Sequence, residues 1–225
     1  MDSMDYIAII GDMIDSKIIA NRAKYQDDLK TCLDLLNQKY QTVIVSKFSI
    51  TLGDEFQGLL GKQAPIFQII DEITQFMKGI KLRFGIGFGE IVTDIDPEIS
   101  IGADGPAYWY AREAIQYIHQ KNDYGNTQLA LRMKDKEKEE VINSLLAAGE
   151  AIKTNWRGSQ EELLEGLLEM GIYDEQFEQG ILAQKLEINP SALSKRLKSS
   201  STKVYLRTRK SALQVLCSAR KENDK

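Results

Sequence analysis

The sequence predicts an α/β (α+β) chain. A ferredoxin-like palm domain, residues 1–135, leads through a helical connector, 136–158, to an all-α helix-turn-helix domain, 159–225. Three observations predict this. Strand and helix signals alternate in the order β-α-β-β-α-β, the split ferredoxin-like unit. A Gly53-Asp54 turn between two apolar runs marks a hairpin inside that order. The charge then changes sign along the chain: residues 175–225 carry 11 Lys/Arg against 5 Asp/Glu, a balance of +6, so with a whole-chain charge of −4 residues 1–174 carry −10.

Residues 6–11 are a short apolar run bounded by Gly11-Asp12, a buried strand. Tyr25, Leu29, Cys32, Leu33, Leu36 and Tyr40 recur at helical spacing and predict an amphipathic helix over 21–41. The β-branched and aromatic stretch 42–52 is a strand. Gly53-Asp54 turns it, and 55–60 returns. Ile66, Ile69, Ile70, Ile73 and Met77 mark a second helix, followed by a glycine-broken strand at 82–87 that 90–94 could extend. The alternation of Gly85, Gly87 and Gly89 lets this strand pass close to another backbone or a ligand; it lacks the strand–turn–helix context of a dinucleotide fingerprint. Ala107, Ala111, Ala114, Ile115 and Ile118 mark a third helix, with Trp109 and Tyr110 read as packing residues and His119 as a capping or surface group. Leu129, Leu131 and Met133 alternate as a last strand. In the connector, Val141, Leu145, Ala148 and Ile152 form one helical face. Ser159 is the expected cap of the next helix, whose apolar face is Leu163, Leu164, Leu167 and Leu168.

Composition excludes several classes. The apolar share of 43% supports a core and the charged share of 28% is ordinary for a soluble chain. No apolar run approaches the length of a membrane span, and the acidic N-terminus lacks the basic region of a signal peptide. Cys32 and Cys217 have no motif spacing and read as reduced core residues of a cytoplasmic protein; with one histidine, His119, no zinc site is expected.

Topology gathers the chemistry. If the first strand runs up, the hairpin turn lies at the top, and in this fold the first strand is beside the strand leaving the hairpin. Asp12 and Asp54 then share one sheet edge. Like charges so placed call for a cation between them. Mg²⁺ (or Mn²⁺) suits two carboxylates plus water and phosphate oxygens. The plainer alternative is that Asp12 caps a turn and Asp54 supplies turn geometry. Gly102-Ala103-Asp104-Gly105-Pro106 is a glycine-rich loop entering a helix, whose amides could hold an anion.

Gly53-Asp54-Glu55-Phe56 with Leu59-Leu60 resembles the hairpin of GGDEF diguanylate cyclases, with Leu52 in place of the first glycine. Four segments in series, 10–14, 52–54, 82–91 and 102–112, resemble class III nucleotidyl cyclases. Residues 51–60 and 101–109 resemble the bacterial SatD family, over nearly the full length. The cyclase resemblance implies a palm that binds a purine nucleotide, with Asp12 and Asp54 as metal ligands and Gly53, Gly102, Asp104, Gly105 and Arg112 at the nucleotide. It further implies that Arg112 stabilises phosphate charge as the catalytic arginine, and that the chain is a homodimer. Tyr108 stands where the cyclases usually place an asparagine, which implies slow or no cyclisation. Arg112 paired with Glu113 or with another surface carboxylate is the structural alternative.

Residues 180–197 read as helix-turn-helix. Ala183 lets two helices cross, Ile188 is buried in the turn, Asn189 or Pro190 starts the second helix, and Leu193 and Leu197 face inward. Ser191, Ser194, Lys195 and Lys198 then face outward, flanked by Arg196. These types suit base edges and phosphates of duplex DNA contacted through residues 159–225; a helical bundle used for packing or dimerisation is the alternative. Together the two halves suggest a regulator that couples metal–nucleotide binding to DNA, with an active nucleotidyl-transfer enzyme or an interaction scaffold as the alternatives.

Overall fold

The computed structural model describes residues 4–14, 22–51, 53–120 and 125–218. Leu52 and the basic residues beyond 218 lie outside them. The chain is mixed α/β. Its elements are β1 (Tyr6–Met13), α1 (Arg22–Lys39), β2 (Ile44–Ile50), β3 (Glu55–Leu60), α2 (Ile66–Phe76), β4 (Leu82–Gly89), α3 (Pro106–His119), β5 (Leu129–Met133), α4 (Lys136–Thr154), α5 (Gly158–Glu169), α6 (Gln179–Lys185), α7 (Pro190–Ser200) and α8 (Thr202–Ser218). The sheet order is β2-β3-β1-β4-β5. β1 pairs antiparallel with both β3 and β4, the ferredoxin-like arrangement, and β5 adds parallel to β4 through the α3 crossover. The stretch 90–94 does not extend the sheet; it begins a strap, residues 90–105.

Alternation along each strand divides the sheet into two faces. Ile7, Ile9, Phe56, Leu60, Phe84 and Ile86 face α1 and α2 in the larger core. Ala8, Ile10 and Leu59 face α3, against Ala107, Tyr108 and Ala111. α3 reaches β4 closely because Gly85, Gly87 and Gly89 present no side chain: a Cβ built on Gly87 would lie 1.9 Å from the Ala107 carbonyl oxygen. The close approach expected of these glycines is thus made by a helix backbone.

Both sheet edges are sealed. Along β2, the Lys47 amide donates to the Pro97 carbonyl at 3.0 Å and the Ser46 hydroxyl to that of Asp96 at 2.5 Å. Along β5, Asn143 clasps Leu131 through both its amide and carbonyl, and the Met133 amide donates to Glu139 at 2.8 Å. α4 therefore buries Ile142, Leu146 and Gly149, not the face through Val141, which is exposed.

The C-terminal helices do not stand apart. Ala212 and Leu216 of α8 complete the core that contains Ile7 and Ile9. A second core, with Leu163, Leu167, Leu182, Leu193 and Tyr205, unites α5 to α8. A buried carboxylate joins the two: Asp71 of α2 accepts from Lys153 at 2.7 Å, Tyr173 at 2.6 Å and Tyr205 at 2.6 Å. Cys32 is buried, its thiol pushed up to about 12 by desolvation and by Glu72, whereas Cys217 is exposed at the end of α8 and is not the core residue expected. α5 begins at Gly158, and its cap is Arg157 with the Gln160 side chain returning to the Arg157 amide at 3.0 Å, so Ser159 is not the cap. No helix among the described residues is long and apolar enough to cross a membrane.

Candidate functional site

The β2–β3 turn and the end of β1 lie together at one edge of the sheet, on the face that α3 covers. Gly53 takes φ +66° in the turn, a conformation that favours glycine, and its carbonyl accepts from Gln26 of α1 at 2.8 Å. The Met13 amide donates to the Asp54 carbonyl at 3.2 Å, which lays the turn alongside the end of β1. Asp12 and Asp54 therefore share one edge, as the topology predicts. Register adds a third acid, because Glu55 lies directly opposite Asp12 and its side chain shares that face.

On the other flank of Asp12, in register, lies Arg83 of β4. Its guanidinium forks onto the carboxylate, Nε to Oδ1 at 2.8 Å and Nη2 to Oδ2 at 3.1 Å. Arg83 Nη1 meets His119 Nδ1 at 2.9 Å, and His119 Nε2 lies 3.4 Å from Asp12 Oδ2. Arginine only donates, so Nδ1 is the acceptor in the Arg83–His119 contact. The row Glu55–Asp12–Arg83 spans three strands, with α3 adding His119 from above. Asp54 has Arg22 at 3.9 Å, and Glu55 accepts from the Thr51 hydroxyl at 2.9 Å. Sequence reasoning missed Arg83 and read His119 only as a capping or surface group. The signal was available: antiparallel pairing of the first and fourth strands puts Arg83 beside Asp12.

Arg112 is exposed on the α3 stripe that also carries Tyr108 and His119, about 10 Å along the helix from His119. Glu113 is engaged elsewhere, 3.6 Å from Arg132, so it is not the partner of Arg112. Tyr108 is fully buried. Desolvation pushes its phenol up, an effect only partly offset by Ser100 and Arg112. Its ring packs in the core beneath the strap, with Ala8, Ile10 and Ala103, unlike a residue that orients a ribose.

The glycine-rich loop is not brought to this edge. Gly102, Asp104 and Gly105 lie at the start of α3, about 20 Å along the helix from His119. Their polar groups serve the strap. The Asp104 amide donates to Thr93 Oγ1 at 2.9 Å, the Val92 amide to the Asp104 carbonyl at 2.9 Å, and the Trp109 indole to the Asp104 carboxylate at 2.8 Å. Trp109 is exposed rather than packed.

The donor types at the Asp12 edge, carboxylate oxygens with one imidazole beside them and no sulfur, suit a hard divalent cation better than a soft one. Among the described residues no three acidic, imidazole or thiol groups converge to hold a metal alone. Ligand phosphates and water would have to complete the shell, as is usual for Mg²⁺. Arg83 holds both Asp12 oxygens in the structure, so a cation there must displace at least one arm of the fork.

The second candidate surface is α7. Asn189 caps it, accepting from the Ala192 amide at 2.8 Å, and Pro190 occupies the first turn. The turn from α6 closes with the Ile188 amide donating to the Ala183 carbonyl at 3.0 Å and the Glu187 amide to that of Gln184 at 3.1 Å. Glu187 takes the left-handed conformation, φ 53°, that this closure needs. Leu193 and Leu197 are buried, and Ser191, Ser194, Lys195 and Lys198 are exposed together. Arg196 is tied back to Glu162 at 2.9 Å. Counted from residue 159, the eleven Lys/Arg meet ten Asp/Glu, because α5 carries Glu161, Glu162, Glu165 and Glu169 and Asp174 follows it. The basic character is thus local to α7 and α8.

The fold and the Asp12 edge define a mixed α/β protein with a ferredoxin-like sheet, an acidic sheet edge and C-terminal helices docked on the same core. The chain belongs to the SatD family, whose model matches residues 6–216. No curated protein matches it. Among solved structures, a bacterial light-regulated adenylyl cyclase is similar at 13% identity and a TM-score of 0.43, over 58% of this chain and 77% of that one. That likeness carries no conclusion about activity or ligand.

Proposed function

We propose that the Asp12 edge binds a nucleotide through its phosphates together with Mg²⁺ or Mn²⁺. The observation that carries this is the gathering of Asp12, Glu55 and Asp54 at one edge, with Arg112 and His119 on the helix above. Asp12 and Asp54 would hold the cation, and the Gly53 turn would bound the site. Arg112 would meet the far end of a polyphosphate, since about 10 Å separates it from His119 along α3. The bound cation supplies the charge that lets carboxylates and phosphates share one edge. The purine base is carried by the sequence resemblance alone. With Tyr108 buried beneath the strap, nucleotide binding without efficient cyclisation is the expected outcome.

Calorimetry of the full chain with Mn²⁺ and purine triphosphates is expected to show binding that Asp54→Ala and Asp12→Ala each weaken at least tenfold. Parent-like affinity in both variants overturns the reading. Rapid formation of a cyclic nucleotide would replace it with the enzyme alternative.

A second reading is favoured by the exposed face of α7: we propose that it enters the major groove of duplex DNA, so that the protein is a nucleotide-responsive regulator. Lys195→Glu combined with Lys198→Glu is expected to lower the affinity of the full chain for mixed DNA fragments at least tenfold and leave its melting midpoint unchanged. The full chain is required because α8 completes the core of the α/β half. Absence of any gel shift at low salt would make the helix pair a packing device.

A further inference from the structure

Arg157 breaks a local rule. It caps α5, a position that favours Ser, Thr, Asp or Asn, and it puts a cation at the positive end of the helix dipole. Nothing inside the protein offsets that charge. Among the described residues its guanidinium bonds only the Trp156 carbonyl oxygen, at 2.9 Å, and meets no carboxylate. We infer that Arg157 is a contact to a phosphate of duplex DNA and fixes how α7 sits in the major groove. The inference rests on the reading of α7 as a DNA-contacting helix, and it adds a residue from outside the helix-turn-helix pair.

Three observations carry it. First, the cations of the helical half are sorted. Nine Lys/Arg fall in residues 155–218. Five of them hold a carboxylate: Lys185, Arg196, Arg207, Arg209 and Lys210. Lys203 lies over the Phe177 ring, 4.9 Å from its centroid. The three left without an acidic or aromatic partner among the described residues are Arg157, Lys195 and Lys198, and all three are exposed.

Second, the fold brings these three to one surface. Residues on both sides of Arg157 are tied to the last turn of α7. The Trp156 indole donates to the Ser200 carbonyl at 2.6 Å, and the Gln160 amide to the Ser199 hydroxyl at 3.1 Å. Trp156 is buried and meets the Tyr205 ring edge-on at 5.1 Å, so the junction is packed as well as hydrogen-bonded. Arg157 is thereby held beside the end of α7 that carries Lys198.

Third, the spacing suits a duplex. From Ser191 in the first turn of α7 to Ser199 in the last, the helix rises about 12 Å, and the major groove is about 12 Å wide. With Ser191 and Ser194 at base edges, the far end of α7 and the cap of α5 meet the sugar-phosphate backbone that borders the groove. An arginine there offers a planar fork for two oxygens of one phosphate. The contact reads no sequence; it sets the orientation in which the serines can. The phosphate also supplies the negative charge that the cap lacks.

The test is the salt dependence of binding by the full chain to short mixed-sequence duplexes, read by fluorescence anisotropy. Arg157→Gln is expected to weaken binding about threefold to tenfold at low salt and to lower the slope of log affinity against log salt by about 1, since one phosphate contact is lost. Its melting midpoint without DNA should not fall, because the charge removed opposes the helix dipole. Arg157→Lys keeps the charge and should keep the slope. Arg207→Gln removes a cation that Glu175 already holds, and it should leave the slope unchanged. If Arg157→Gln does not fold, Arg157→Ser removes the same charge, installs a favoured cap and carries the same expectation. Parent-like affinity and slope in Arg157→Gln, or a loss no larger than that of Arg207→Gln, overturns the inference. A loss of equal size on the single strand overturns it too, because a single strand has no groove in which to set α7. In either case a tenfold loss in the Lys195→Glu, Lys198→Glu double variant would leave the reading of α7 standing. Absence of binding by the parent at low salt overturns both.

Discussion

Asp71→Ala is expected to destabilise the protein by about 3–5 kcal/mol, the loss typical when one partner of a buried ion pair is removed. Asp71 is 2% exposed. Burial alone would raise its carboxyl. Lys153 and Arg209, with the hydrogen bonds from Lys153 and Tyr173, outweigh that and hold it below the usual carboxylate range. Deleting it strands an ammonium and two phenols between α2, α4 and α8. Urea unfolding followed by circular dichroism measures the loss. The double variant Asp71→Leu, Lys153→Met should recover most of it, since apolar residues of similar volume replace buried pairs at little cost. The pH dependence follows from the depressed pKa. The stabilisation is fully present above the unfolded carboxyl value of about 3.9 and is lost as pH falls through the lower folded value. The gap between parent and Asp71→Ala should therefore stay constant from pH 5 to 8 and close only below about pH 4. A loss under about 1 kcal/mol would mean that this carboxylate does not anchor the helical half.

Gly87→Ala is the second large effect. The added methyl would meet the Ala107 carbonyl oxygen at 1.9 Å and the Ala111 amide nitrogen at 2.4 Å. Both are backbone atoms of α3, so no rotamer relieves the clash, and the helix must lift from the sheet. A loss of about 3 kcal/mol or more is expected, at the upper end for overpacking. Gly180→Ala in α6, where an added Cβ meets nothing within 4 Å, is the control and should gain about 0.5–1 kcal/mol from helix propensity. The difference between the two melting midpoints separates close approach from a general intolerance of side chains. Because α3 carries His119 and Arg112, Gly87→Ala should also weaken any ligand held at the Asp12 edge, even below its melting midpoint.

Much of this was legible in the sequence, and the pattern of success is physical. Strand order, the hairpin and the shared edge of Asp12 and Asp54 follow from hydrophobic period and from a turn that needs glycine at φ +66°. These are local signals that the tertiary structure obeys. The outward set on α7 is equally local, fixed by Leu193 and Leu197 at i, i+4. What escaped depends on contacts distant in sequence. Arg83 reaches Asp12 across 71 positions and Asp71 reaches Tyr205 across 134. No periodicity reports such pairs. The loop at Gly102–Gly105 was misplaced for a related reason: its composition suits an anion, but the direction of α3 carries it to the far end of the sheet. The face of α4 shifted by one position because Gly149 is needed where α8 crosses, with Thr208 Oγ1 2.9 Å from a built Cβ.

The docking of α8 sets the timing of folding during synthesis. Ile7 and Ile9 belong to a core that closes only when Ala212 and Leu216 arrive, some 200 residues later. At typical translation rates that is a wait of roughly 10–40 s. From the synthesis of α4 until that of α8, roughly 4–14 s at the same rates, Ile142 and Leu146 have nothing to pack against on the α8 side, and Asp71 lacks the phenol of Tyr205. Until α8 docks, the sheet half has one open apolar flank. The protein's yield in the cell should depend on how quickly the last helix clears the exit tunnel.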